Sequence, residues 1–309
     1  MTKPRPSGAG ANRWLVTGAT GMVGSEVFSQ LRRRDADVIA VGHGELDISD
    51  GDAVHYLVSA ARPDVIVNCA AWTKVDDCET SEELAEKVNG AGVGHLADAA
   101  NGCGALLTHI STDFVFDGGK NGEWEVDDEP RPLSAYGRTK WSGEIAAARA
   151  DRHVIVRTSW VFGPNGSNFV EAILRQIENG NREFRVVDDQ RGRPTYTPHL
   201  ASALIDLSEI ARENPEARGI YHYADAPACT WFEFANEIIR VHGDMNQVED
   251  RADLLPIRTV DMPRPAVRPP NSTLSTRRYE AVTGNSPGSW KDGLAEYLRT
   301  RDLDFDAMA

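Results

Sequence analysis

The chain of 309 residues is short of the features that would take it out of ordinary globular chemistry. Its four cysteines, Cys69, Cys78, Cys103 and Cys229, form no Cys-x-x-Cys pair and have no histidine spacing suited to zinc. Free thiols of a cytoplasmic protein are the expected state, because disulfides belong to oxidising compartments. No apolar run approaches the ~20 residues needed to cross a bilayer, so no membrane association is expected. Residues 1–12 lack the apolar stretch of a secretory signal and read as a flexible leader rich in Pro and Gly. Positive charge is scarce as well: 33 Lys and Arg stand against 47 Asp and Glu, a net charge of −14. That balance disfavours nucleic acid as a partner, since a phosphate backbone needs a basic face. An anionic ligand would have to be held by local devices working against the global field.

What the first half does contain is alternation of short β-branched runs with longer helical patterns. This predicts an α/β fold with a Rossmann-like, doubly wound parallel sheet covered on both faces. Strands are expected at Arg13 to Thr17, Val38 to Val41, Val65 to Cys69, Ala105 to Ser111 and Val154 to Thr158. Helices are expected at Met22 to Arg34, Ala53 to Ala61 and Glu82 to Ala100. After about Ser159 the rhythm loosens and prolines punctuate shorter elements. Thr230-Trp231-Phe232-Glu233 is a capping box that should start a helix, and the Pro/Arg-rich stretch Pro263 to Pro270 cannot be regular helix. The expected organisation is a dinucleotide-binding domain over 13–160. Residues 161–309 would form mainly a smaller substrate-binding lobe, with some segments returning to the sheet.

Directly after the first strand comes Gly18-Ala19-Thr20-Gly21-Met22-Val23-Gly24. Glycines in a strand-to-helix turn let backbone amides approach a pyrophosphate at a helix N-terminus, which points to a dinucleotide. The choice between NAD and NADP depends on the residues just after the second strand. Gly42-His43-Gly44-Glu45 gives neither a clean carboxylate nor a clean basic signal there. NADPH stands slightly ahead of NADH in this reading.

A second pattern carries proton chemistry. Ser134 should cap a helix on which Tyr136 and Lys140, four apart, share a face. A phenol titrates near 10, so donating its proton at neutral pH is helped by an ammonium beside it, which Lys140 would provide while also bonding the nicotinamide ribose. Ser111-Thr112-Asp113 ends a predicted strand, where ligand sites of open α/β sheets lie, and the Thr112 hydroxyl could bond both substrate and Tyr136.

Together these elements resemble the extended short-chain dehydrogenase/reductase superfamily and, within it, the dTDP-4-dehydrorhamnose reductase family. The resemblance rests on Gly18 to Gly24, Asp64 to Ala71, Ser111 to Gly118, Tyr136 to Lys140 and Arg157 to Phe162. It continues through Asn168-Phe169, Val187 to Gln190, Arg193-Pro194-Thr195 and Arg268 to Ser272, spanning most of the chain. It implies reduction of the C4 ketone of dTDP-4-dehydro-L-rhamnose by NADPH or NADH, in a monomer or homodimer. It implies that Gly21, Met22 and Val23 cradle the pyrophosphate, with Gly18, Thr20 and Gly24 completing the loop. Gly42, Asp47, Ile48, Cys69, Ala70, Ala71 and Ile110 would line the rest of the cofactor, beside Tyr136 and Lys140. Thr112, Asp113, Trp160 and Asn168 would meet the sugar nucleotide, and Arg193 would face its diphosphate. Some relatives hold Mg²⁺ at a subunit interface through carboxylates; only Glu26 matches that set and Pro198 occupies another ligand's place, so no metal is expected.

Two alternatives stay open at this point. One keeps the chemistry with another nucleotide-linked 4-ketosugar, and the other is a nucleotide-binding regulatory subunit without turnover, against which the presence of both Tyr136 and Lys140 argues. Three further features take plain readings. His109 should be a strand residue facing neighbours rather than a base. Trp231, Phe232 and Phe234 should pack the core of the capped helix. The acidic cluster of residues 123–129 should be a solvated loop.

Overall fold

The computed structural model describes residues 12–247 and 252–306, so most of the leader lies outside the described residues. Five strands from the first half form the body of a sheet: β1 Arg13–Thr17, β2 Asp37–Val41, β3 Val65–Asn68, β4 Leu106–Thr112 and β5 His153–Thr158. Four more strands come next: β6 Val161–Phe162, β7 Glu183–Val187, β8 Arg191–Gly192 and β9 Thr195–Tyr196. Then come β10 Gly219–His222, β11 Cys229–Thr230 and β12 Asp253–Ile257. The helices are α1 Met22–Arg33, α2 Gly51–Ala61, α3 Val75–Thr80, α4 Glu82–Glu86, α5 Gly92–Cys103 and α6 Ala135–Ala147. The later ones are α7 Phe169–Glu178, α8 Thr197–Glu213, α9 Trp231–Met245, α10 Arg277–Thr283 and α11 Trp290–Asp306.

The main sheet is parallel throughout, in the order β10-β5-β4-β3-β1-β2. Its strands are apolar on both faces because helices cover both, and the period of two assigns each residue a side. Trp14, Val16, Val65, Val67, Val154 and Val156 pack on the side of α1 and α8. Leu15, Ile66, Leu107 and Ile155 pack on the side of α2 and α5. The sixth strand, β10, has no counterpart among the expected strands. It arrives through α8, whose Leu200, Leu204 and Leu207 bury against the first face.

A third core surrounds Phe162, Phe234, Trp290 and Leu298, built from α7, α9, α11 and the β7–β12 pair. Thr230 caps α9 with the full reciprocal box expected from its sequence, Glu233 N donating to Thr230 Oγ1 at 3.1 Å and Thr230 N to Glu233 Oε2 at 2.8 Å. The expected helix from Glu82 to Ala100 is interrupted by a π turn at Lys87–Ala91. Its Asn89 is buried and joins three segments, accepting from Trp72 N at 2.8 Å and donating to Trp72 O and Thr139 Oγ1, both at 3.1 Å. Non-local bonds of this kind offset the poorer geometry of the wide turn, which no local pattern announces. Among the described residues, no helix is long and apolar enough to cross a membrane.

Candidate active site

The strand order reverses between β1 and β3, so the segments leaving these strands diverge and open a crevice at their C-terminal ends. A cavity of about 1110 Å³ occupies this place. That exceeds the volume range of pockets for a single drug-sized ligand, about 300–1,000 Å³, and leaves room for two reactants side by side. Gly21, Met22, Val23 and Gly24 line one end, next to Cys69, Ala70 and Ala71.

The glycine loop fits a bound pyrophosphate. Gly18 sits at φ +65°, and a Cβ there would fall 2.6 Å from Ala70 N; at Gly24 it would fall 2.2 Å from Gly18 O. Only glycine lets these backbones pass so closely. A polar ladder keeps the strand ends aligned: Thr17 Oγ1 donates to Asn68 Oδ1 at 2.7 Å, Ala70 N donates to the same oxygen at 3.1 Å, and Asn68 Nδ2 meets His109 Nδ1 at 3.0 Å. Burial, reinforced by Lys140, holds His109 well below its usual imidazole range, so it serves as a neutral strut. This agrees with its reading as a strand residue facing neighbours.

Helix α6 carries Tyr136 and Lys140. Ser134 caps it as expected, accepting from Gly137 N at 3.1 Å. Tyr136 and Lys140 are both buried, and both line the cavity with Ile110, Ser111 and Thr112 from the end of β4 and Asp113 just beyond it. Lys140 Nζ donates to Ile110 O at 2.7 Å, and burial pulls its pKa down to about 8 while Glu144 and Cys69 push it up. Burial drives Tyr136 above the usual phenol range, the Thr112 hydroxyl pulls it back, and Asp113 and Cys78 add to the rise. The expectation that Lys140 lowers the phenol is therefore corrected: the ammonium is committed to a carbonyl, and desolvation dominates at Tyr136. A phenol in this state keeps its proton until a developing negative charge draws it off. Burial also raises Asp113 to about 6, against the hydroxyls of Ser272 and Thr112; Thr112 Oγ1 donates to its Oδ1 at 3.0 Å.

Below Lys140 the same helix presents Glu144, buried to 3 % exposure. It accepts from Ser111 Oγ at 2.6 Å, and from Arg157 Nε and Nη2 at 2.9 and 2.8 Å. One carboxylate thus ties α6 to β4 and β5, the two strands beside it. Nothing in the local pattern of residues 140–144 marked Glu144 for this role.

The opposite wall belongs to later segments. Trp160 takes a left-handed backbone, φ +47°, and stacks on Trp231 with ring centroids 3.6 Å apart. Both indoles line the cavity; Trp231 and Phe232 also pack against the third core, as expected, and Phe234 is fully buried within it. Residues Met262 to Arg268 form a strap along the same wall. Asp76 of α3 holds it, accepting from Ala266 N at 3.1 Å and from Arg268 Nη1 and Nη2 at 2.5 and 2.9 Å.

Several expected site residues lie elsewhere. Arg193 is 6 % exposed and outside the cavity wall; its guanidinium donates to Asp225 O and Leu274 O at 2.8 and 2.9 Å. Buried backbone carbonyls claim it, which corrects its expected place beside a diphosphate. The basic groups that do line the cavity, besides Lys140, are Arg185, Arg264 and Arg268. Asn168 caps α7 and donates to Gly163 O at 2.9 Å, again outside the wall. Gly18, Thr20, Gly42, Asp47 and Ile48 do not themselves line it, although Gly18 packs on Ala70 of the wall and Thr20 packs on Gly42; Ile48 is core, and Asp47 accepts from Ser49 N at 2.9 Å. The acidic segment is a solvated loop as expected, with Glu123, Asp127 and Glu129 exposed, and it is tied to its neighbours. Trp124 N donates to Thr273 O at 2.8 Å, Asp128 accepts from Glu125 N at 2.7 Å, and Glu123 pairs with Arg193 at 3.7 Å.

Residues 12–302 match the model of the RmlD substrate binding domain. The chain belongs to the dTDP-4-dehydrorhamnose reductase family. A dTDP-4-dehydrorhamnose reductase from Streptomyces griseus is 42 % identical over 295 residues, 95 % of this chain and 93 % of that protein. A crystal structure of a dTDP-4-dehydrorhamnose reductase from Clostridium acetobutylicum superposes with a TM-score of 0.87 at 36 % identity, covering 94 % of this chain and 99 % of that one. One from Bacillus anthracis, solved in complex with NADP, gives 0.86 at 31 % identity, covering 94 % and 100 %. Members of this family are oxidoreductases.

Proposed function

We propose that this protein reduces the C4 ketone of a nucleotide-linked 4-dehydro-6-deoxysugar, with dTDP-4-dehydro-L-rhamnose going to dTDP-L-rhamnose. The observation that carries this reading is the convergence of Tyr136, Lys140 and Thr112 on one cavity that runs from the glycine loop to the Trp160–Trp231 stack. A bound nicotinamide dinucleotide, NADPH or NADH, supplies the hydride. Gly21, Met22 and Val23 would hold its pyrophosphate, and Lys140 would meet its ribose.

The chain's own part is to bind, orient and protonate. Thr112 and Asp113 offer a hydroxyl and a carboxylate to the sugar, while Trp160 gives its ring an apolar face. Tyr136 Oη hands its proton to the oxygen as the C4 carbonyl becomes an alkoxide, and the Thr112 hydroxyl, which pulls the buried phenol back toward its usual range, favours the phenolate left behind. Arg185 and Arg264, from β7 and the strap, are the candidates to offset the diphosphate charge.

The test is direct. Purified protein mixed with dTDP-4-dehydro-L-rhamnose and NADPH or NADH should oxidise the dinucleotide, read at 340 nm, and form dTDP-L-rhamnose, read by chromatography. Dinucleotide binding without any turnover, across a panel of nucleotide-linked 4-ketosugars, would refute the proposal.

A further inference from the structure

We propose that Glu45 selects between the two nicotinamide dinucleotides, and that it selects NADH. The proposal rests on the reductase reading, since it concerns the cofactor of that same site. In doubly wound folds the adenosine ribose is read at the C-terminal end of the second strand. A carboxylate there accepts from the ribose hydroxyls, whereas a basic group accommodates a 2′-phosphate.

Here β2 ends at Val41, and the chain closes a tight turn in which Glu45 N and Leu46 N both donate to Gly42 O, at 3.1 and 3.0 Å. The turn brings the Glu45 side chain back to the strand end, where its Oε2 accepts from Gly42 N at 2.6 Å. Thr20 of the glycine loop closes on the same spot. A Cβ on Gly42 would lie 2.6 Å from Thr20 Cγ2 and 3.5 Å from Glu45 Oε2. The carboxylate is thus anchored beside the glycine loop, while Oε1 has no hydrogen-bond partner among the described residues and the residue is exposed. An acceptor already fixed by one backbone amide loses little freedom in binding a hydroxyl.

The charge around it points the same way. Residues 35–61 contain no lysine or arginine; the turn and the start of α2 add Asp47, Asp50 and Asp52, with His43 the nearest potential cation in sequence. Arg34, the last arginine before this stretch, is engaged with Asp206 and Glu209. A 2′-phosphate brings close to two negative charges, as any phosphomonoester does near neutral pH. Set beside a fixed carboxylate, with no lysine or arginine in residues 35–61 to offset it, that charge should cost on the order of tenfold or more in affinity. The proposal reverses the slight preference for NADPH expected from the sequence.

The experiment is a fluorescence titration of the full chain with NADH and with NADPH, without sugar, so that it reads binding and not turnover. The wild type should bind NADH about tenfold or more tightly than NADPH. Glu45→Gln keeps an oxygen for Gly42 N but loses the charge, and should bring the two affinities within about threefold by improving NADPH. Adding His43→Arg to that variant should turn the preference toward NADPH, and unchanged melting temperatures would show that each variant is folded. Equal or tighter binding of NADPH by the wild type would overturn the proposal. So would a ratio that Glu45→Gln leaves unchanged, which would make the carboxylate a clasp for the turn and nothing more. Selective binding by a protein that turns over no ketosugar would uphold Glu45 and sink the reductase reading, whereas failure to bind either dinucleotide would sink both.

Discussion

The two walls of the cavity are built on different principles. The wall formed by β4 and α6 is dry and tied: Tyr136, Lys140, Asp113 and Glu144 are all buried, and Lys140, Asp113 and Glu144 have identified hydrogen-bond partners. The wall formed by the strap and by β7 is wetter and looser, with Arg185 and Arg264 exposed and Asp76 the main polar tie of the strap to the sheet domain. Proton delivery demands a donor held to a fraction of an ångström, which a buried polar network supplies. Recognition of one sugar nucleotide among many is the kind of task that exposed later segments can adjust without disturbing the chemistry.

The hardest test of this contrast is Tyr136→Phe. It deletes the donor with little change in volume, so turnover should fall by about 10²–10⁴-fold while dinucleotide affinity, measured by titration, stays within a few-fold. Retained turnover would end the special status of the dry wall. Next comes Glu144→Gln, which leaves Arg157 buried beside a neutral amide. Breaking a buried pair in this way should cost about 3–5 kcal/mol, read as a fall in urea midpoint, whereas a surface pair such as Arg138 with Glu82 should cost under about 1 kcal/mol.

Asp76→Ala tests the loose wall. Untying the strap should raise KM for the sugar nucleotide about tenfold with kcat within about threefold, because Asp76 bonds Ala266 and Arg268 of the strap and makes no hydrogen bond to Tyr136 or Lys140. A large loss in kcat would mean that both walls act as one. A subtler effect lies in pH. Lys140 titrates at about 8, pulled down by burial; its ammonium is present below that pH and lost above it. The rate should therefore decline on the alkaline side of about pH 8, and in any folded Glu144→Gln protein the decline should start at lower pH, because Glu144 is the larger of the two influences, with Cys69, that raise the lysine. A profile level to pH 9.5 would argue against a required ammonium.

The dry wall was also the more legible. The strand before the glycine loop, the cap at Ser134 and the four-residue spacing of Tyr136 and Lys140 are local features, and each stands where the pattern put it. The capping box at Thr230 was equally readable, since every partner lies within four residues. The misses share one cause. Arg193 looked like a free cation because its partners, Asp225 O and Leu274 O, are 32 and 81 positions away. That Trp231 also reaches the cavity was hidden because Trp160, on which it stacks, is far off in the chain. The π turn at Asn89 answers to Trp72 and Thr139.

Composition and periodicity by themselves determined the α/β class, the glycine turn, the helix caps and the residue types on the reacting face, all of which depend on neighbours a few positions apart. The tertiary structure alone decided which charged side chains reach the cavity and which are absorbed by carbonyls, and where a carboxylate such as Glu45 comes to rest. Those outcomes depend on desolvation and on partners many residues distant, and no short stretch of sequence contains both halves of such a contact.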